Sequence, residues 1–214
     1  MSRIKSIRKY YKTRIYITSE DHEILGWETK EAQLRRFSVL TDAFELTGKS
    51  LLDVGCGLCS LLKYLNSLGI KTDYTGTDIM TEMVEIAKKR YPGTKIYLTD
   101  VFNENHGISG IYDIVFSSGI FNINLGNNRN FLPFAVNRLL SFAKKAVVFN
   151  LLHMRSSDKD NRYFYYQPDD VRSILKTVPG ETFSIEILDN YLPNDFTVIC
   201  RKQIKTGRKT GPLN

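Results

Sequence analysis

Three aspartates, each closing a run rich in apolar or β-branched residues, carry the most chemistry in this chain. They are Asp53 in Leu51-Leu52-Asp53-Val54-Gly55-Cys56-Gly57-Leu58-Cys59, Asp78 in Tyr74-Thr75-Gly76-Thr77-Asp78-Ile79, and Asp100 in Ile96-Tyr97-Leu98-Thr99-Asp100-Val101-Phe102. A carboxylate accepts several hydrogen bonds and attracts cations. An apolar run that ends in an acid and glycines, followed by the helical pattern of Ser60-Leu61-Leu62-Lys63-Tyr64-Leu65, reads as a buried parallel strand turning over a ligand. Gly55 and Gly57 admit backbone angles closed to other residues and let the main chain approach a bound molecule. Asp78 follows Gly57 by 21 positions, the spacing at which a strand-end carboxylate meets ribose hydroxyls over a wound sheet.

Two ligand classes use such a turn. A dinucleotide places its pyrophosphate at the helix N-terminus, where Asp53 would repel it, and its fingerprint requires a third glycine where this chain has Ser60. S-adenosylmethionine (SAM) has no phosphate and presents an ammonium group that a carboxylate attracts. At these residues the chain resembles motif I of the class I SAM-dependent methyltransferases, an acid, any residue, then Gly-x-Gly-x-Gly, with Cys59 in the place of the last glycine. The resemblance spans residues 49 to 201. It implies an α/β fold, a Rossmann-like three-layer sandwich around a mostly parallel seven-stranded sheet with an antiparallel last strand. It also implies methyl transfer from SAM by in-line displacement, leaving S-adenosylhomocysteine (SAH), without a metal. The implied cofactor contacts are Asp53, Gly55, Cys56 and Gly57 at the amino acid part, Asp78 at the ribose, Ile79 and Met80 against adenine, Asp100, Val101 and Phe102 around its amino group, and Ser118 and Gly119 in motif IV.

The elements that must position these residues follow in order. Residues 1–18 mix basic and apolar side chains as a short amphipathic helix would, and Ser19 to Trp27 reads as a loop or a short helical turn. A helix begins at Thr29 with Ala32, Phe37, Leu40 and Phe44 on one face and Lys30, Arg35 and Arg36 mostly off it, stopped by Gly48. Strands are expected at 51–54, 72–78, 95–99, 112–119 and 146–150, with a hairpin of 184–188 and 196–200 at the end. Thr81 is placed to cap the helix after the second strand, and Pro168 to open the helix before the hairpin. Residues 1–48 are thus a helical cover segment, 49–202 the SAM-binding domain and 203–214 a disordered basic tail.

In enzymes of this kind the cover segment helps to shape the acceptor pocket, so Tyr11, Trp27, Gln33 and Arg36 are candidate pocket residues, joined by Phe121 after the fourth strand. Tyr165 belongs to a tyrosine-rich stretch after Arg155 that could form a lid. The motif IV region reads Ser117-Ser118-Gly119-Ile120-Phe121-Asn122, without the Asn/Asp-Pro-Pro-Tyr/Phe of enzymes that methylate bases and glutamines. Asn122 can donate and accept hydrogen bonds there, and His153, after the fifth strand, is the best-placed general base.

Composition narrows the class. The 214 residues, 42% of them hydrophobic, suffice for one domain with a sizeable core. No apolar run reaches membrane-spanning length and the first residues lack a signal peptide's apolar block, so a cytoplasmic protein without membrane contact is expected. Cys56, Cys59 and Cys200, with histidines scattered at 22, 106 and 153, do not make the four-ligand pattern of a zinc site. The net charge of +7 resides in the ends: residues 1–18 hold six basic and no acidic side chains, and residues 201–214 hold five and none. A small-molecule acceptor is the first expectation, and RNA (rRNA or tRNA), suggested by those ends, the second. A SAM-binding protein that transfers nothing is the third.

Overall fold

The computed structural model describes residues 3–15, 20–180 and 182–203. Apart from Gln203, the basic tail expected from residue 203 onward lies outside the described residues.

The apolar run before Asp53 forms β1 (Ser50–Val54), and the helix after the glycine turn is α4 (Ser60–Ser67). The chain then alternates through β2 (Asp73–Asp78), α5 (Thr81–Arg90), β3 (Lys95–Leu98), β4 (Tyr112–Ser117), α6 (Asn128–Phe142), β5 (Ala143–Leu152), α7 (Pro168–Leu175), β6 (Phe183–Leu192) and β7 (Asp195–Lys202). Three helices precede this body: α1 (Arg3–Arg14), α2 (Asp21–Ile24) and α3 (Lys30–Ala43).

The seven strands form one sheet in the order β3-β2-β1-β4-β5-β7-β6. The pairs from β3 across to β5 are parallel, and β7 runs antiparallel to both β5 and β6. The mostly parallel sheet with an antiparallel last strand is therefore the architecture observed. Successive residues face opposite layers, as the period of two in a strand requires. Leu51, Ile114, Phe116 and Val148 pack with α3, α4 and α5, while Leu52, Val115, Val147 and Phe149 pack with α6 and α7. Both faces are covered, which is why β1, β4 and β5 read as unbroken apolar runs rather than alternating ones.

The order of winding reverses between β1 and β4, since the chain moves outward from β1 to β3 and then returns to lie on the other side of β1. Ligands of such sheets bind outside the carboxyl ends of the strands at this crevice. Asp53, Asp78, Asp100, Ser118 and His153 all lie at or just after carboxyl ends of parallel strands.

Local details depart from expectation in three places. Helix α3 begins as foreseen, with Thr29 accepting a hydrogen bond from the Ala32 amide at 3.0 Å, a cap worth about 1 kcal/mol. It stops at Phe44, which turns extended, and Gly48 instead lies in the turn that enters β1. Thr81 does not cap α5 but is its first residue; Asp78 takes the neighbouring duty by accepting from the Met80 amide. Arg36, placed by the helical pattern mostly off the apolar face, is nevertheless buried with 3% exposure.

Candidate active site

A deep pocket, about 940 Å³ including its open mouth, lies over the β1–β4 crevice. Its floor is the glycine turn. Gly55 and Gly57 have φ of +77° and +52°, and the Gly55 and Cys56 amides both donate to the Thr77 carbonyl, at 2.8 and 2.9 Å. A Cβ on Gly55 would stand 2.3 Å from Ile120 Cγ2, and one on Gly57 2.6 Å from a Leu25 methyl. Cys59, in the place of the motif's last glycine, keeps the left-handed conformation at φ +60° although it carries a side chain, a strain of roughly 1 kcal/mol. Its thiol and that of Cys56 are buried in the core behind the turn.

The three acids converge on this pocket by different means. Asp78 is held by backbone: its Oδ2 accepts from the Gly57 amide and its Oδ1 from the Met80 amide, each at 2.8 Å. Burial pushes its pKa up, and these amides act against that shift. Asp53, 3% exposed, accepts from the Tyr74 hydroxyl at 2.6 Å. Burial raises its pKa to about 7, with the Tyr74 hydrogen bond opposing the rise and Asp78 adding to it. A carboxyl poised near neutrality in a cleft is the signature of a functional group. Asp100 accepts from the Phe102 amide at 3.1 Å and pairs with Arg3 of α1. The Arg3 guanidinium lies 5.1 Å from the centroids of both Phe102 and Phe131.

The pocket lining brings together Asp53, Gly55, Cys56, Gly57, Asp78, Ile79, Met80, Asp100, Val101, Phe102, Ser118 and Gly119, every residue singled out for the cofactor. Of the residues named for the acceptor, Tyr11, Trp27 and Gln33 line it. Arg36, Phe121, Tyr165, Asn122 and His153 do not, each for an evident reason. Arg36 turns to a buried Asp195, Phe121 packs on Phe149 and Phe131 in the core, and the Tyr165 hydroxyl accepts from the Asp160 amide. His153 accepts from the Arg155 amide through Nδ1 at 3.0 Å and packs its ring on Phe196; burial and the nearby Arg155 lower its pKa. Asn122 stands just behind Gly119 with its Oδ1 unpartnered. The tyrosine-rich stretch after Arg155 reaches the cover segment through a hydrogen bond between the Tyr163 and Tyr10 hydroxyls, but contributes nothing to the lining.

Sequence reasoning missed several lining residues. Ser60, Thr77 and Ser118 each hold a buried hydroxyl without a partner, and all three line the pocket. Buried polar groups almost always find partners, so three orphans around one cavity mark a place where a polar ligand belongs. Ser118 had been singled out, whereas Ser60 and Thr77 are ordinary residues whose only signal is adjacency to the glycine turn and to Asp78. Ile7, Leu25, Met83, Ile120 and Ile123 add an apolar wall that no motif announces.

These features fit SAM. A buried carboxyl precedes the glycine turn, a second carboxylate anchored by two backbone amides has lone pairs left for further donors, and Ile79, Met80, Val101 and Phe102 make part of the lining apolar. Comparison with known proteins agrees. The family model for the methyltransferase domain matches residues 52–140. A Mycobacterium tuberculosis protein named as a methyltransferase is 30% identical over 157 residues, 72% of this chain and 93% of the relative. Among solved structures, the magnesium protoporphyrin IX methyltransferase of Synechocystis PCC 6803 with bound SAH has a TM-score of 0.65 at 16% identity, covering 94% of this chain and 100% of that one. The plantazolicin methyltransferase BamL, in complex with a desmethyl substrate analogue and SAH, also has a TM-score of 0.65, at 15% identity, covering 94% and 97%. The chain belongs to the SAM-dependent methyltransferases with a Rossmann-like fold.

Proposed function

We propose that this enzyme methylates a small, largely apolar molecule at an oxygen or nitrogen atom. The observation that carries the reading is that, apart from the three acids and Arg3, the pocket lining among the described residues holds no charged side chain and is largely apolar or aromatic, with Leu25, Trp27, Phe37, Ile120 and Ile123 among its members and Gln33 as its one amide. Such a lining excludes water and suits a compact neutral body better than a polyanion. The solved neighbours lend support, since the names of two of them specify small-molecule acceptors.

In this mechanism Asp53, once ionised, would hold the ligand's ammonium, Asp78 the ribose diol and Asp100 the adenine amino group, while the Ser60, Thr77 and Ser118 hydroxyls would supply further hydrogen bonds. When bound, SAM supplies an activated sulfonium methyl for in-line displacement and leaves as SAH. The protein's part is then alignment and dryness, which can provide much of the acceleration. Tyr11, whose pKa burial raises, stays protonated as a hydrogen-bond donor, and Gln33, 4% exposed, can orient a polar group of the acceptor. His153 and Asn122 stand outside the lining, so the reading favours an acceptor that is a free amine or acidic enough to lose its proton to water before transfer, without His153 as base.

Three arginines of the basic N-terminal segment, which suggested RNA, have partners within the chain: Arg3 pairs with Asp100, while at the surface Arg8 donates to the Ile79 carbonyl and Arg14 to the Glu23 carbonyl, Arg14 also lying over the Tyr10 ring. Incubation with methyl-labelled SAM and separate pools of metabolites and RNA tests the reading. Label in the metabolite fraction, absent with Asp78→Ala, is expected; label confined to RNA would overturn it.

A further inference from the structure

Arg36 looks like a surface charge in the sequence and is among the most buried polar residues in the structure. Its Nε donates to Oδ2 of Asp195 at 2.9 Å, its Nη2 lies 2.9 Å from the same oxygen in an ion pair, and its Nη1 donates to the Ala32 carbonyl at 2.7 Å. Asp195, with 0% exposure, accepts in addition from Asn150 Nδ2 at 3.1 Å and from the Tyr191 hydroxyl at 2.8 Å. Asn150 uses its Oδ1 to accept from the Gly119 amide at 3.1 Å. Gly119 in turn abuts Trp27: a Cβ on this glycine would lie 3.0 and 3.1 Å from indole Cη2 and Cζ2. The indole lies against the Arg36 guanidinium, 4.3 Å from its ring centroid. The contacts thus close a ring through Trp27, Arg36, Asp195, Asn150 and Gly119.

Only Trp27 and Gly119 of these five line the pocket; the other three stand behind them. A buried ion pair seldom adds stability over an apolar pair of the same volume, because both charges must be stripped of water. What a guanidinium fork does supply is geometry: it donates in its plane to a carboxylate and leaves its face free to stack on an aromatic ring. A fully satisfied polar network of this kind fixes one arrangement of the groups attached to it.

Building on the reading of this pocket as a SAM and acceptor site, we infer that Arg36, Asp195 and Asn150 are positioning residues: they fix the Trp27 indole and the Gly119 peptide as one flat, rigid wall at the acceptor end. The network brings together the cover helix, the end of β5 and the start of β7 without touching the ligand. It explains why the cover segment must dock in one orientation, and it makes a planar acceptor group the natural occupant beside the wall.

Trp27 is the only tryptophan in the chain, so its fluorescence reads the wall directly and needs no acceptor. Two variants cut the ring at different points. Arg36→Lys keeps the charge and loses the fork, while Asn150→Ala leaves the Arg36–Asp195 pair and frees the Gly119 amide. Both are expected to bind SAH within about threefold of the unaltered protein in calorimetry, because the ring avoids the three acids of the cofactor end. Acrylamide quenching of Trp27 should rise about twofold or more, and the change in its emission on saturation with SAH should shrink, as the indole gains freedom. Folded variants with unaltered quenching and emission would overturn the inference. So would loss of SAH affinity as severe as that of Asp78→Ala, which would assign the ring to the cofactor instead. Should either variant fail to fold, Tyr191→Phe removes one bond to Asp195 at the edge of the ring and is read in the same way. If the unaltered protein binds no SAH, the reading of the pocket fails, while the quenching comparison still decides the ring.

Discussion

The two ends of the pocket are built on opposite principles. At the cofactor end each side chain sits in or beside the strand that delivers it, and its partners are close by: Asp78 is held by the amides of Gly57 and Met80, and Asp100 by that of Phe102. At the proposed acceptor end Trp27 and Arg36 of the cover segment meet Gly119, Asn150 and Asp195 from three other stretches, and only in the folded chain. The first end can be specified by a short motif, because the strand, the turn and the ligand contact are one local event. The second is a property of how the cover segment docks on the sheet.

If this contrast is right, lesions at the cofactor end should abolish binding and lesions at the acceptor end should spare it. The largest effect is expected from Asp78→Ala. It removes the acceptor of two backbone amides and the diol contact together, and SAH affinity by calorimetry should fall about 100-fold or more. Gly55→Ala comes next: the new methyl meets Ile120 at 2.3 Å in a left-handed backbone. A loss of about tenfold in SAH affinity, with a lower unfolding temperature, is expected.

Asp53 gives a test by pH. Its pKa of about 7 in the free protein means that an ammonium-bearing ligand must displace a proton below that value. SAH should therefore bind about tenfold more weakly at pH 6 than at pH 8, with a proton released on binding at the lower pH. Calorimetry in buffers of different ionisation enthalpy would count that proton, and Asp53→Asn should abolish the release. The sign for stability is the reverse. A carboxyl whose pKa is raised in the folded state contributes stability that is fully present below the usual carboxylate pKa and is lost as pH rises through 7. Asp53→Asn should accordingly flatten the fall of unfolding temperature across that window.

Trp27→Ala sharpens the comparison from the other end. It should leave SAH affinity within about threefold while raising KM for an acceptor found by labelling, because it removes wall and not cofactor contacts. The smallest effect is expected at Arg3, whose pair with Asp100 is partly exposed. Arg3→Ala should change SAH affinity about twofold, and added salt should erase that difference.

The same contrast explains what the sequence could reveal. The strands, the terminal hairpin and the strand-end acids were legible because each is a short local pattern, with Asp53, the glycine turn and Asp78 within about 25 residues of each other; the antiparallel last strand came from the family resemblance alone. Ser60 and Thr77 were invisible because a serine or threonine beside a motif looks like any other; only their missing partners in three dimensions mark them. Arg36 was misread because helical periodicity separates polar from apolar faces, and nothing local tells that Asp195, 159 positions away, neutralises it in the core. His153 lies just beyond a strand end, as a base should, yet its ring nitrogen caps the Arg155 amide and its ring packs on Phe196. Strand-end position was thus enough to bring the three acids to the pocket, all in the half of the sheet wound around β1. It was not sufficient across the whole sheet.

The most direct test of the account is a crystal structure of the protein with SAH. The account predicts the amino group at Asp53, the ribose diol at Asp78, the adenine amino group at Asp100 and the sulfur turned toward the wall of Trp27 and Gly119. Density for SAH with its ribose away from Asp78, or bound outside the glycine turn, would contradict it.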